Sequence, residues 1–242
     1  MRLLPLLSLL LVLACTEKSK APAQAGVPGR TGTSRIAGVV RLVGTAPPPP
    51  RVTRGAPPEC RKNAQPPREA AVQLGPGGEI AEAFVWVREG LPEGDYPLPA
   101  APVEIDQRGC EYIPRVVGVR AGQPIAFRNS DDALHNVHAR GSGSNQFNFG
   151  MPLAGMETKR TFSEPQVMVP IGCDVHPWMR AYAGVSRHPF FAVTGADGKY
   201  SLEGLPPGSY TVEAWQEALP QATASVTVGE GESKTADFGL HQ

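Results

Sequence analysis

Cys173, His176 and Met179 stand in the stretch Cys-Asp-Val-His-Pro-Trp-Met, and Leu134-His135-Asn136-Val137-His138 lies well upstream on a separate segment. A thiolate, two imidazoles and a thioether make up the donor set of a type 1 (blue) copper site. Soft sulfur holds Cu(I), and imidazole suits both oxidation states. A trigonal His2Cys plane with a weak axial Met lets the ion change charge with little rearrangement. A Cys-x2-His pair alone says little, since cysteine is among the most often buried residues. The complete donor set is far more specific.

Other chemistry fits the same residues less well. Cys173 and His176 could form a thiol nucleophile and base, but no orienting or oxyanion element adjoins them and Met179 would have no role. A zinc site needs a fourth strong donor, for which a thioether is poor. No Cys-x-x-Cys-His run offers covalent haem attachment. The ligand loop lacks the second cysteine of a dinuclear copper centre, and no second His-rich set would build a trinuclear cluster.

Only one upstream histidine can join the set. Side chains alternate faces along a strand, so His135 and His138 point oppositely. His135 heads its segment, beside the irregular Asn129-Ser-Asp-Asp loop, and is the predicted donor; His138 is expected to be exposed or packed. His188, ahead of Pro189-Phe-Phe, reads as a packing residue, and His241 lies in the tail.

The heptapeptide, with Pro177 between His176 and Met179, resembles the short ligand loop of the amicyanin-type cupredoxins, and His135-Asn136-Val137-His138 resembles their upstream ligand segment. The stretch from Val117 to Ser130 resembles the strands leading to the first histidine, so the likeness covers about 100–187. It implies His135, Cys173 and His176 as equatorial ligands and Met179 as the axial one. It also implies that the Asn136 amide ties the two ligand segments together, and that the edge of His176, framed by Pro177 and Trp178, is the electron port. Trp178 reads equally well as core packing. One departure is Pro170, which removes a backbone donor before the loop and predicts an edge or bulge there.

The chain opens with Arg2 and an apolar run from Leu3 to Ala14, then Cys15. This is a secretory-signal pattern too short to span a bilayer. Val-Leu-Ala-Cys resembles the lipobox of bacterial lipoproteins, which implies lipidation of Cys15. Each buried methylene contributes about 0.8 kcal/mol, so several acyl chains anchor firmly. The expected location is the bacterial cell envelope, lipid-anchored and periplasmic or on the outer membrane. Thr16, rather than Asp, after the cysteine favours the outer membrane.

Four cysteines are present. With Cys15 assigned to lipid, three pairings remain open and sequence cannot choose among them. The copper reading chooses Cys60–Cys110, because Cys173 must stay a thiolate; two free buried cysteines are the alternative. Exported proteins live where disulfides persist.

Lys and Arg total 23 and so do Asp and Glu, so no basic field exists to hold nucleic acid. Partner choice must rest on a local patch. Gly 27 and Pro 26 with 41% hydrophobic residues argue for an all-β fold rich in tight turns. Short alternating runs from Val103 to Val185 predict a Greek-key β-sandwich. Beyond it, turns at Asp197-Gly198 and Pro206-Pro207-Gly208 separate further strands. That region resembles the carboxypeptidase-regulatory-like, transthyretin-like sandwich. Its usual opening strands match Ile36–Leu42 and Ala83–Arg88, which here precede the copper region.

The predicted organisation is a signal over 1–14, a tether over 15–34, the first part of that small sandwich over 35–98, a cupredoxin over 99–187, and the remainder over 188–240. A cupredoxin joined to an independent C-terminal half-module is the alternative, but about four strands alone would leave edges uncovered. Pro47 to Pro50 reads as a stiff surface connection. The functional expectation is a carrier of single electrons, not an enzyme, serving a c-type cytochrome or an exported oxidoreductase. Rival readings are copper storage, delivery or sensing, and an envelope binding scaffold.

Overall fold

Alternation between two buried faces explains most of the architecture. In the computed structural model, which describes residues 28–48, 60 and 72–242, strands dominate. The opening strands are β1 (Ser34–Val43), β2 (Gln73–Leu74), β3 (Ile80–Ala81) and β4 (Phe84–Glu89). A middle group follows: β5 (Val103–Gln107), β6 (Tyr112–Ile113), β7 (Val116–Arg120), β8 (Pro124–Asn129), β9 (His135–Arg140), β10 (Gln146–Met151), β11 (Glu157–Thr161), β12 (Gln166–Gly172) and β13 (Arg180–Ser186). The chain closes with β14 (Phe191–Val193), β15 (Lys199–Leu205), β16 (Gly208–Gln216), β17 (Leu219–Val228), β18 (Ser233–Thr235) and β19 (Phe238–His241).

The middle group forms two facing sheets of its own, ordered β10-β9-β12-β13-β7 and β11-β8-β5-β6. The first and last groups pair with each other instead: β1 lies between β15 and β18 and also pairs β19, while the order β14-β4-β16-β17 makes the opposing sheet. The middle sandwich thus interrupts the outer one in sequence. Each has its own core. Ile36, Val85, Leu202, Val212 and Phe238 belong to the outer core, and Ile105, Phe127, Val137, Phe162 and Ile171 to the middle one.

β4 shows how the two are joined. Its odd residues, Val85 and Val87, enter the outer core, whereas Phe84 and Trp86 point the other way into a third cluster with Val116, Tyr182, Phe191 and Trp215. Period-two alternation therefore serves two cores from one strand. Across the joint, Gly118 and Gly184 are register partners on β7 and β13 and leave a floor for these rings. A Cβ on Gly184 would fall 2.4 Å from the Phe84 ring, and one on Gly118 would fall 2.3 Å from Phe191. Arg115 adds a half-buried bidentate pair with Glu217, its Nη2 2.6 Å from Oε1.

Pro170 lies in the internal strand β12, not in a sheet-edge strand. The missing donor is tolerated because β12 pairs with β9 only at Ile171 and Gly172, and its register with β13 shifts between Gln166 and Val169. At Pro170 itself the strand is paired on one side alone.

His188 is buried at the start of the return to the outer sandwich. Its Nε2 donates to the Val87 carbonyl at 2.8 Å, and its Nδ1 accepts from the Phe190 amide at 3.3 Å. Burial, opposed by the Val87 carbonyl, brings the imidazole down to about 4. An unfolded histidine titrates near ~6.5, so between these values the unfolded chain binds the extra proton. The resulting stability is fully present above about pH 6.5 and is lost as pH falls towards about 4.

Two measurements follow. Across that window the wild type is expected to lose about 3 kcal/mol more unfolding free energy than His188→Gln; equal losses contradict the assignment. Gly184→Ala should lower stability by about 1–3 kcal/mol in urea unfolding. Gly150→Ala, whose Cβ meets nothing within 4 Å, should stay within about 0.5 kcal/mol of wild type.

Candidate metal centre

Two segments of the middle sandwich converge on the site. β9 begins at His135, and the loop between β12 and β13 carries Cys173 to Met179. The ligand atoms of His135, Cys173 and His176 all lie within 4.8 Å of one another, and all three residues are buried. His135 Nδ1 faces His176 Nδ1 at 3.0 Å, and Cys173 Sγ stands 3.9 Å from His176 Nδ1. Met179 is 1% exposed in the same cluster, and its amide donates to the His176 carbonyl at 2.9 Å, closing the loop tightly.

The surroundings prepare these donors. The Asn136 side chain accepts from the Asp174 amide at 2.6 Å and donates to Asn148 at 2.7 Å, so it bridges the segments that carry His135 and Cys173. The Tyr112 hydroxyl lies 2.5 Å from the Asn136 carbonyl and 3.0 Å from the Gly172 carbonyl, spanning β9 and β12 from below. Burial raises the Cys173 thiol, but bonds from His135 and from the Asn136, His176 and Val175 amides outweigh it and hold the thiol below its ordinary value. The shift is towards the thiolate, the form that binds metal.

His135 is oriented from behind by Asp131, a residue that the sequence pattern does not single out. Its carboxylate is fully buried and faces His135 Nε2 at 3.0 Å. It also accepts from the successive amides of Gly109 and Cys110, both at 2.8 Å. Both residues have positive φ, 64° and 54°, as a tight hairpin turn requires, and the paired amides form an anion nest. Burial lowers the His135 value, but Asp131 and Cys173 more than compensate and raise it. The carboxylate holds a proton on Nε2 and turns Nδ1 towards Cys173 and His176. Two ring nitrogens 3.0 Å apart share a proton or a cation between them, and a thiol, two imidazoles and a thioether are donors that copper accepts.

His138 points away from the site and pairs with Asp174 at 3.0 Å. The edge of His176 is not open, contrary to what the family resemblance implies. The residue is 4% exposed, and the Cys60–Cys110 disulfide brings Cys60 Sγ within 3.8 Å of Nε2. Trp178 is half-buried; its Nε1 donates to the Cys110 carbonyl at 3.0 Å and its ring lies 5.1 Å from His176. Pro177 remains exposed. A groove of about 490 Å³ opens beside Cys173 and Met179, with Pro177, Arg140, Arg180 and Tyr182 along its sides. Cys15 and the segments 1–27, 49–59 and 61–71 lie outside the described residues.

Residues 182–241 match the model of the carboxypeptidase regulatory-like domain. That match spans β14 to β19 and the end of β13, but not β1 and β4, which complete the same sandwich. A purple cupredoxin from Nitrosopumilus maritimus is similar at 20% identity over 35% of this chain and 99% of its own, with a TM-score of 0.30. A point mutant of amicyanin in its reduced Cu(I) form is 21% identical over 37% of this chain and 86% of its own, with a TM-score of 0.32. A Cu-containing nitrite reductase from Thermus scotoductus is 21% identical over 41% of this chain, with a TM-score of 0.32. The matched part spans 26% of that enzyme. At these scores the likenesses carry no weight for the site. No curated protein matches the chain.

Removing the carboxylate behind His135 should weaken metal binding. Asp131→Ala is expected to lower copper affinity by about 10–100-fold in competition with a chromophoric chelator. Unchanged affinity would show that the ring needs no support from Asp131.

Proposed function

We propose that the chain holds one type 1 copper and passes single electrons between exported redox proteins. The observation that carries this reading is a buried free thiol, held towards thiolate, facing two imidazole Nδ1 atoms of fixed orientation. His135, Cys173, His176 and Met179 would hold the ion, the thioether as the weakest donor. Copper held there would supply a one-electron couple, tuned by its donors and the surrounding hydrogen bonds. The chain's own contribution is rigidity. Asn136 and Tyr112 lock the two ligand segments together, Asp131 fixes one ring, and the disulfide excludes water from the other.

The partner surface follows from the occlusion of His176. Pro177 and the open side of Trp178 are what the ligand loop shows to solvent, and Pro177 also borders the groove beside Cys173. A c-type cytochrome or an exported oxidoreductase is the proposed partner, since small transient contacts suit electron transfer. Arg140 and Arg180 against Asp174 on that groove provide the local charge that the balanced whole lacks. We propose further that Cys15 carries lipid and places the chain on the envelope membrane. This rests on the apolar run and lipobox-like residues before Cys15.

Cu(II) added to the purified protein should produce an intense visible charge-transfer band that Cys173→Ser abolishes. A band surviving in the variant would refute the thiolate assignment. Voltammetry of the loaded protein should give a reversible one-electron wave, and Met179→Gln should displace its potential while keeping the band. Bound copper without such a wave would point to storage or delivery.

A further inference from the structure

His176 has two ring nitrogens, and both face sulfur. Nδ1 is turned to Cys173 and His135, whereas Nε2 is turned to the disulfide. The Sγ atoms of Cys60 and Cys110 and a ring nitrogen of His176 form a second buried group of ligand atoms, all within 4.8 Å. Cys60 Sγ lies 3.8 Å from His176 Nε2. A nitrogen bound at about 2.0 Å and a sulfur at about 2.3 Å around a trigonal or tetrahedral ion stand roughly 3.5–3.8 Å apart. That spacing is already present. What is missing is the pair of thiolates and a separation of the two sulfurs, which are bonded to each other here.

We propose that reduction of Cys60–Cys110 creates a second, soft-metal site for one Cu(I), beside and separate from the Cys173 site. A dithiol reductant supplies two electrons and two protons and becomes a disulfide itself, while the Cys60–Cys110 bond breaks to two thiols. Cu(I) then displaces both thiol protons and forms two Cu–S bonds with no change of oxidation state. The two thiolates hold this ion by themselves while His176 Nδ1 serves the first site, and Nε2 is a further donor when it does not.

Cys110 does not depend on the disulfide for its position. Its amide and that of Gly109 are held by Asp131, and its carbonyl accepts from Trp178. One thiolate therefore stays aimed at His176 after reduction. The disulfide would then have two states with different consequences. Oxidised, it only covers His176; reduced, it offers the metal a second seat next to the first.

The test is an anaerobic Cu(I) titration of the full chain against a chromophoric Cu(I) chelator, before and after treatment with a dithiol reductant. The oxidised protein should take one equivalent and the reduced protein two. The Cys60→Ser/Cys110→Ser double variant should take one in both conditions, which also excludes Cys15 as the source of the gain. Cys173→Ser should lose the first equivalent yet keep the one that appears on reduction, so failure of the type 1 reading and failure of this one are distinguishable. A stoichiometry unchanged by reduction overturns the proposal. So does a second equivalent that persists in the double variant, or one that persists after the reduced wild-type thiols are alkylated. Near-UV circular dichroism of the reduced protein supplies the remaining check: loss of the folded spectrum overturns it as well, because the site requires Cys110 held as described.

Discussion

A buried carboxylate holds the candidate site together. Asp131 is entirely removed from water, a placement that costs several kcal/mol per charge unless hydrogen bonds replace the lost solvent. Here two backbone amides of the disulfide turn and one imidazole do so. None of these partners can move without stranding a buried charge. The same bonds that satisfy Asp131 thus fix the hairpin turn bearing Cys110, the tautomer of His135 and the distance between them. The site's rigidity follows from this satisfaction requirement more than from any single packing contact.

Around that anchor the two sandwiches have different tasks. The middle one supplies both ligand segments from β9 and the loop after β12, cross-tied by Asn136 and Tyr112. The outer one touches the far ends of β7 and β13, where Phe84 and Phe191 rest on the Gly118 and Gly184 floor. β13 runs directly from Met179 to that joint, so one strand connects the ligand loop to the outer sandwich. Arg115, paired with Glu217 and donating to the Arg180 carbonyl at 3.3 Å, reinforces the same path.

The residues gathered at the candidate site were legible in the sequence because three of the four sit in one heptapeptide and the fourth stands at the head of a strand-like run. Alternation sufficed to separate His135 from His138, which the structure turns to opposite sides. The Cys60–Cys110 pairing followed once Cys173 was reserved as a thiolate. What the sequence hid depends on contacts between distant segments. Asp131 carries no periodic signal, since its role arises only when the β5–β6 turn folds over the loop before β9. Tyr112 acts through carbonyls whose approach is set by sheet register. The occlusion of His176 could not be read from the ligand loop at all, because Cys60 covers it from a remote segment. Pro170 predicted an edge or a bulge, and the structure places it in an internal strand, paired on one side and next to a register shift.

Copper held by a single thiolate, Cys173, and two imidazoles is the proposed state of the loaded protein. X-ray absorption at the copper edge of the loaded chain counts its donors by type. One short copper–sulfur bond and two imidazole nitrogens are expected, with the short sulfur lost in Cys173→Ser. A first shell of nitrogen and oxygen alone in the wild type would contradict it.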